Sequence, residues 1–152
     1  MKNIKDRIKA HEGFRDTIYK DSLGKPTIGW GHLVLDTDNF QENIVYSVEE
    51  LESTFDYDYN IALEGANTLI QAHLGSIEYN ELPEQNKYII KGVITEMVFQ
   101  LGTTGVSKFK QMWLNLDSCN FGRASQEMMD SRWYKQTQAR CIELSGIIRN
   151  IK

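Results

Sequence analysis

Four of the chain's 11 glycines and one of its two prolines fall between residues 13 and 31, in the run GFRDTIYKDSLGKPTIGWG. A continuous α-helix does not tolerate that density of flexible and donor-less residues, so the stretch has to be built from turns and short extended pieces. DTIYKD sets Ile18 between polar neighbours as a half-buried strand does, SLGKP carries turn residues, and TIGWGH reads as the returning strand of a hairpin. Gly29 and Gly31 weaken that second strand as ordinary sheet and point to close approach by other backbone or by a ligand. Ahead of the hairpin, Ile4 and Ile8 lie one helical turn apart, and Gly13 is a stop signal. Glu12 therefore sits on the last turn of a short helix, held on a rigid element.

Past residue 46 the period changes. SVEE is a capping box in which Ser47 can cap and Glu50 can reach back. Val48, Leu51, Phe55, Tyr59, Ala62 and Leu63 then recur at helical spacing, predicting a long helix to Ala66 or beyond. GSIEYNELPEQ interrupts the pattern. Pro83 suits a first helical position, and the apolar run to Leu101 reads as a buried helix closed by Gly102. Three more helical stretches follow, around Val106 to Leu116, Ser125 to Trp133 and Gln138 to Ile151.

Period-two patterning is thus confined to one end of the chain, and the expected fold is α+β and mostly helical. A single domain of 152 residues is expected to comprise a small β-hairpin lobe over about 14–46, a connecting helix over about 47–75, and a helical lobe over about 76–152 packed with 1–12. Junctions between such lobes favour clefts.

Composition narrows the function classes. A formal net charge of -4 with interleaved signs disfavours nucleic acid, whose phosphates call for a basic surface. MKNIKDRIKAHEGFR lacks the apolar core of a signal peptide. Uncharged runs such as Met97 to Ser107 fall well short of the ~20 apolar residues that span a bilayer, so no stable membrane insertion is expected. Cys119 and Cys141 have no CxxC or zinc spacing and read as two free thiols of a reducing compartment. His11, Glu12, Asp21 and His32 contain no H-E-x-x-H or comparable spacing, so no metal is expected.

Glu12 at a helix end and Asp21 at a hairpin are the residue types that glycoside hydrolysis needs: an acid for the departing oxygen and a second carboxylate on the far face of the sugar. Thr27 on the returning strand offers a hydroxyl that could position water. Spacing alone is weak evidence, since any acidic chain offers such a pair. The full string HEGFR…YKDSLGKPTIGWGH resembles the phage-type lysozymes of glycoside hydrolase family 24, specifically the T-even phage lysozyme branch. That family's pattern runs E-G, Y-x-D, G-x-x-T-I-G-x-G-H, and Glu12, Asp21, Thr27 and His32 match it in order and spacing. EMVFQLGTTGVSKF and SRWYKQTQAR resemble two further signatures of the branch, also in order.

The resemblance implies a lysozyme-like fold and a muramidase that cleaves the β-1,4 bond between N-acetylmuramic acid and N-acetylglucosamine in peptidoglycan. It implies Glu12 as general acid, Asp21 as the opposing carboxylate and Thr27 as a holder of the attacking water. The family inverts the anomeric centre, which requires carboxyl groups ~6.5–9.5 Å apart. Arg140 matches an arginine that pairs with the catalytic glutamate; such a cation favours the ionised acid, so burial has to oppose it if the proton is to stay. Gly31, Leu33, Phe99, Gln100, Arg132, Gln136 and Thr137 match positions that line the family's cleft, although Phe99 also reads as ordinary core, as does Trp133. His32 and Asp58 correspond to a structural ion pair.

No cofactor is implied. The expected partner is bacterial peptidoglycan. The expected role is host lysis by a monomer made in the bacterial cytoplasm, which acts on peptidoglycan in the periplasm or cell wall after release by a separate holin-like protein. A catalytically silent wall-glycan binder or assembly protein on the same fold is the alternative. The chain departs from the best-known member in a shorter segment after His32 and a longer one before EMVFQ. It also lacks a proline at Gln138 and carries Glu127 where that branch has a neutral amide.

Overall fold

The computed structural model describes residues 3–152. The chain forms two compact units, one reaching to Ile61 and the other running from Ala62 to Lys152. All strands among the described residues lie in the first and most helices in the second, so the α+β, mostly helical fold expected from the sequence is the fold observed.

In the first unit, α1 (Ile4–Glu12) opens with the Asn3 side chain accepting the Asp6 amide at 2.8 Å. It ends at Gly13, whose φ of 72° takes the chain out of the helix while its N–H still reaches the Lys9 carbonyl at 3.0 Å. Three antiparallel strands follow in the order β1 (Arg15–Lys20), β2 (Pro26–Gly29) and β3 (His32–Leu33). The expected single returning strand TIGWGH is two strands, because Gly29 and Gly31 take φ of 63° and 74° and reverse the chain around Trp30. Tyr19 faces Thr27 across β1 and β2, and Thr27 faces Leu33 across β2 and β3.

The helix α2 (Val48–His73) starts at the expected cap. Ser47 Oγ accepts the Glu50 amide at 3.2 Å and donates to the Glu50 carboxylate at 3.1 Å, so the box closes side chain to side chain. The boundary between the units falls inside this helix. Ile8, Ile28, Leu51 and Phe55 form the buried apolar set of the first unit. Each contributes roughly 1.5–3 kcal/mol of transfer free energy. Along the α1 side, Lys9 Nζ lies 4.4 Å from the Trp30 ring centroid and pairs with Glu52, while Lys5 pairs with Asp56 at 3.2 Å.

A histidine ties the pieces of this unit together. His32 Nδ1 meets Asp58 Oδ2 of α2 at 2.7 Å, the pair expected from the resemblance. Its Nε2 meets Asp38 Oδ2 at 2.9 Å, a partner the sequence did not disclose, and the same oxygen accepts the Leu35 amide at 2.7 Å.

The second unit contains α3 (Ile77–Asn80), α4 (Glu84–Ser107), α5 (Lys110–Asp117), α6 (Phe121–Met129), α7 (Arg132–Gln136) and α8 (Gln138–Arg149). Its core gathers Ala66, Ile90, Ile94, Met97, Leu116, Met128, Leu144 and Ile148, with Trp133 as the expected core tryptophan. Several boundaries differ from expectation. Within the expected interruption, Ser76 caps a short helix by accepting the Tyr79 amide at 2.9 Å, and Asp117 in turn accepts the Gly75 and Ser76 amides. Pro83 is the N-cap of α4 rather than its first helical residue. Gly102 breaks α4 with a φ of 78°, but helix resumes to Ser107, so the next helix begins only at Lys110. The stretch expected over Ser125 to Trp133 is the end of α6 and the start of α7.

Both cysteines are free, and burial pushes the Cys141 thiol up to about 11. Among the described residues no helix is long and apolar enough to cross a membrane.

The His32 cluster gives stability a sign with pH. The Asp58 hydrogen bond, helped by Asp38, holds the imidazole above its ordinary value against the opposing pull of burial. Burial pushes Asp38 up, but the Leu35 amide and His32 outweigh it and hold the carboxyl below the usual range. The histidine's contribution is therefore complete below its unfolded value of about 6.5 and fades as pH rises through the higher folded value. That of Asp38 is present above about 3.9 and fades as pH falls through its lowered folded value. Urea unfolding from pH 6 to pH 9 should show the parent losing on the order of 2 kcal/mol relative to His32→Asn, the scale of hydrogen bonds to a charged group. Parallel curves for the two proteins would refute the clamp.

Candidate active site

Glu12 is the last residue of α1, one turn beyond the buried Ile8, and its carboxylate lies over the bare Cα of Gly31. A β-carbon at residue 31 would stand 2.5 Å from Glu12 Oε2 and 3.1 Å from its Cδ. Glycine is needed there twice, for that contact and for the φ of 74°. Gly29 is different. Its β-carbon would make only an ordinary 3.5 Å contact with Leu51, and the φ of 63° alone demands glycine.

Asp21 occupies the turn between β1 and β2. Its Oδ1 accepts the Leu23 and Lys25 amides, each at 2.8 Å, so the turn is folded around the side chain. The main chain closes the same turn through the Asp21 amide to the Lys25 carbonyl at 2.9 Å. Thr27 enters β2 two residues later, 5% exposed, with Oγ1 donating to that Lys25 carbonyl at 3.0 Å. Since the hydroxyl proton is spent on Lys25, the Oγ1 lone pairs are what Thr27 can offer a water. Asp21 Oδ1 is likewise committed, and Oδ2 remains for chemistry.

The sheet register sets Tyr19, Thr27 and Leu33 in one cross-strand row. Tyr19 was not singled out from the sequence, although it supplies the Y of Y-x-D. Burial first, then the charges of Glu12 and Asp21, push its phenol above the ordinary value, with Arg15 opposing. The first unit therefore assembles Glu12, Asp21, Thr27, Gly31 and Leu33, with Tyr19 added.

The other expected residues belong to the helical unit. Gln100 bridges two of its elements: Nε2 donates to Thr137 Oγ1 at 3.0 Å and Oε1 accepts from Trp133 Nε1 at 2.9 Å. Arg132 and Gln136 line a cavity of about 620 Å³ together with Leu101, Phe109, Glu127 and Trp133. Phe99 is half-buried and packs against the core. Arg140 is almost wholly buried, and within this unit its Nε stands 3.9 Å from Oε1 of the fully buried Glu96. Glu96 was missed. The signal was present, since it is the only charge between Lys91 and Lys108 in an otherwise apolar run.

Residues 9–150 match the family model for phage lysozyme. The chain belongs to the phage lysozyme family. It is 30% identical to probable T4-type lysozyme 2 of Dictyostelium discoideum, over 92% of this chain and 89% of that protein. Probable T4-type lysozyme 1 of the same organism is 29% identical over 97% of this chain and 94% of that one. The pre-baseplate central spike protein Gp5 of Enterobacteria phage T4 is 28% identical over 96% of this chain, which spans only 27% of the longer spike protein. The matched region thus includes the end of α1, the hairpin and every helix from α2 to α8.

The two glycines make separable predictions. Gly29→Ala should cost about 1–2 kcal/mol of stability, the strain of a left-handed backbone. Gly31→Ala should cost more, because it also has to displace the Glu12 carboxylate. Urea unfolding of both variants measures the difference; equal losses would mean that the contact with Glu12 constrains nothing.

Proposed function

We propose that this protein is a peptidoglycan hydrolase, a muramidase cleaving the β-1,4 bond between N-acetylmuramic acid and N-acetylglucosamine. The observation that carries the reading is the manner in which its three polar residues are held: Glu12 against Gly31, and Asp21 and Thr27 on one hairpin turn. Membership of the phage lysozyme family supports the same conclusion. Glu12 gives its proton to the departing glycosidic oxygen. A water attacks the anomeric carbon from the opposite face, its own proton passing to Asp21 while Thr27 Oγ1 accepts a hydrogen bond from it. The configuration inverts, and no cofactor enters.

Gly31, Leu33, Phe99, Gln100, Arg132, Gln136 and Thr137 line the glycan path in this reading, with Arg140 supporting the acid. The setting is phage-mediated lysis. The chain acts as a monomer, is made in the host cytoplasm and reaches the wall after a holin-like protein opens the membrane. A virion-borne setting is the second reading, favoured by the match to a segment of a pre-baseplate spike protein. Mass spectrometry of purified particles distinguishes the two.

Release of reducing ends from purified peptidoglycan tests the chemistry. Loss of a general acid costs roughly 10²–10⁴-fold in rate, so Glu12→Gln should be nearly inert while still binding the wall. Equal activity of parent and variant would remove Glu12 from the mechanism. Wall binding by an inactive parent would mark a silent binder.

A further inference from the structure

We propose that the cavity of the helical unit binds the stem peptide of the wall polymer and selects a stem that carries diaminopimelate. Lys108, Lys110 and Arg132 take the peptide's carboxylates, and Glu127 takes its ammonium group. The peptide hangs from muramic acid, so the inference rests on the muramidase reading for its setting. At about 620 Å³ the cavity falls within the range of roughly 300–1,000 Å³ typical of small-molecule sites. Lys108 closes α4 and Lys110 opens α5, so the two lysines straddle Phe109 at the corner between those helices. Arg132 opens α7, and Glu127 comes from α6. The aromatic part of the lining is fixed. Trp133 gives its Nε1 proton to Gln100, which is tied in turn to Thr137, and Phe109 meets the Trp133 ring edge-on with centroids 6.0 Å apart.

What singles the cavity out is charge. The chain carries a formal net charge of -4, yet three cations and one carboxylate line this space. The side chains of Lys108, Lys110 and Arg132 make no ion pair or hydrogen bond with any described residue. Glu127 Oε1 stands 3.4 Å from Nε of Arg123, an exposed guanidinium that does not line the cavity and holds the carboxylate weakly. A concave site with apolar walls strengthens the attraction of such groups for opposite charge beyond what an open surface gives. The hydroxyl and acetamide groups of a glycan strand have no use for three cations. A polyphosphate chain would set its repeated anions against Glu127. An N-acylated alanyl-γ-glutamyl-diaminopimelate stem carries three carboxylates and one ammonium, a partner for each of the four protein groups. Exchanging diaminopimelate for lysine keeps the ammonium but removes a carboxylate, and one cation is left unmatched.

Titration with free peptides tests this without any hydrolysis. The probes are N-acetyl-L-alanyl-γ-D-glutamyl-meso-diaminopimelate and its lysine counterpart. The readout is the indole N–H signal of Trp133 by NMR, with Trp30 and Trp113, which do not line the cavity, as references. The diaminopimelate peptide should move the Trp133 signal and bind about tenfold more tightly than the lysine peptide, the scale of one further hydrogen bond between charged groups. The double variant Lys108→Gln/Lys110→Gln should erase that preference with Tm unchanged, since the two side chains hold nothing else in the described fold. Glu127→Gln should weaken both peptides and keep the preference. An unmoved Trp133 signal, equal affinity for the two peptides, a preference that survives the loss of both lysines, or parent-like affinity in Glu127→Gln overturns the proposal. So does tighter binding of a glycerol phosphate oligomer than of either peptide. On whole peptidoglycan the same preference should appear as a roughly tenfold higher kcat/KM for the diaminopimelate type than for the lysine type, in the parent and not in the double variant. A parent that cleaves neither wall would strike the muramidase reading instead, and the peptide titration would still decide the cavity.

Discussion

One backbone residue, Lys25, anchors two of the three polar groups proposed for the chemistry. Its N–H is held by the Asp21 side chain, and its carbonyl takes both the Asp21 amide and the Thr27 hydroxyl. A turn closed in this way cannot let its aspartate swing without giving up the hydrogen bonds that make it a turn. Asp21 and Thr27 therefore move, if they move at all, as one body, and the entropy of ordering them is met by folding rather than by substrate binding. The commitments also decide which atoms are left. Asp21 keeps one carboxylate oxygen outstanding, and Thr27 keeps the lone pairs of its hydroxyl.

Glu12 reaches the same unit by a different physical route. It hangs from the end of α1, one turn past the fully buried Ile8, and meets the backbone at Gly31, where no side chain intervenes. Thr27 is followed directly by Ile28, also fully buried, so strand alternation seats the apolar residue in the core while its neighbour faces the other way. Helix periodicity and strand periodicity thus each pair a core residue with a polar one. The polar positions inherit the rigidity of the packing beneath them.

Much of this was legible in the sequence, and the remainder was not for identifiable reasons. Local chemistry was readable: Gly13 ends α1, Ser47 and Glu50 open α2, and Gly102 breaks α4. Partners distant in sequence were legible only where the family resemblance supplied them, as for His32 and Asp58, 26 residues apart. The start of α3 depends on Asp117, 41 residues from Ser76. The second carboxylate on His32 comes from a loop whose fold no periodicity announces. Tyr19 looked like a half-buried strand residue until the register set it opposite Thr27, and Glu96 looked like part of an apolar helix until α8 brought Arg140 beside it. The split of TIGWGH into two strands shows the same limit, because glycine reports that a reversal is allowed but pairing decides where it occurs.

The double clamp on His32 bears on how such a chain can drift over generations. Each ring nitrogen has its own carboxylate, so the bond that joins the hairpin to α2 runs through Asp58 alone, and the bond that gathers the loop runs through Asp38 alone. A lineage that loses Asp38, or shortens the segment around it, keeps the imidazole partnered and the hairpin tied to the helix. The loop is in effect an annex with its own fastening. A change of length in that loop bears first on Asp38 and on the Tyr46 amide that meets the Asp16 carbonyl at 3.0 Å, and it leaves the bond to Asp58 in place.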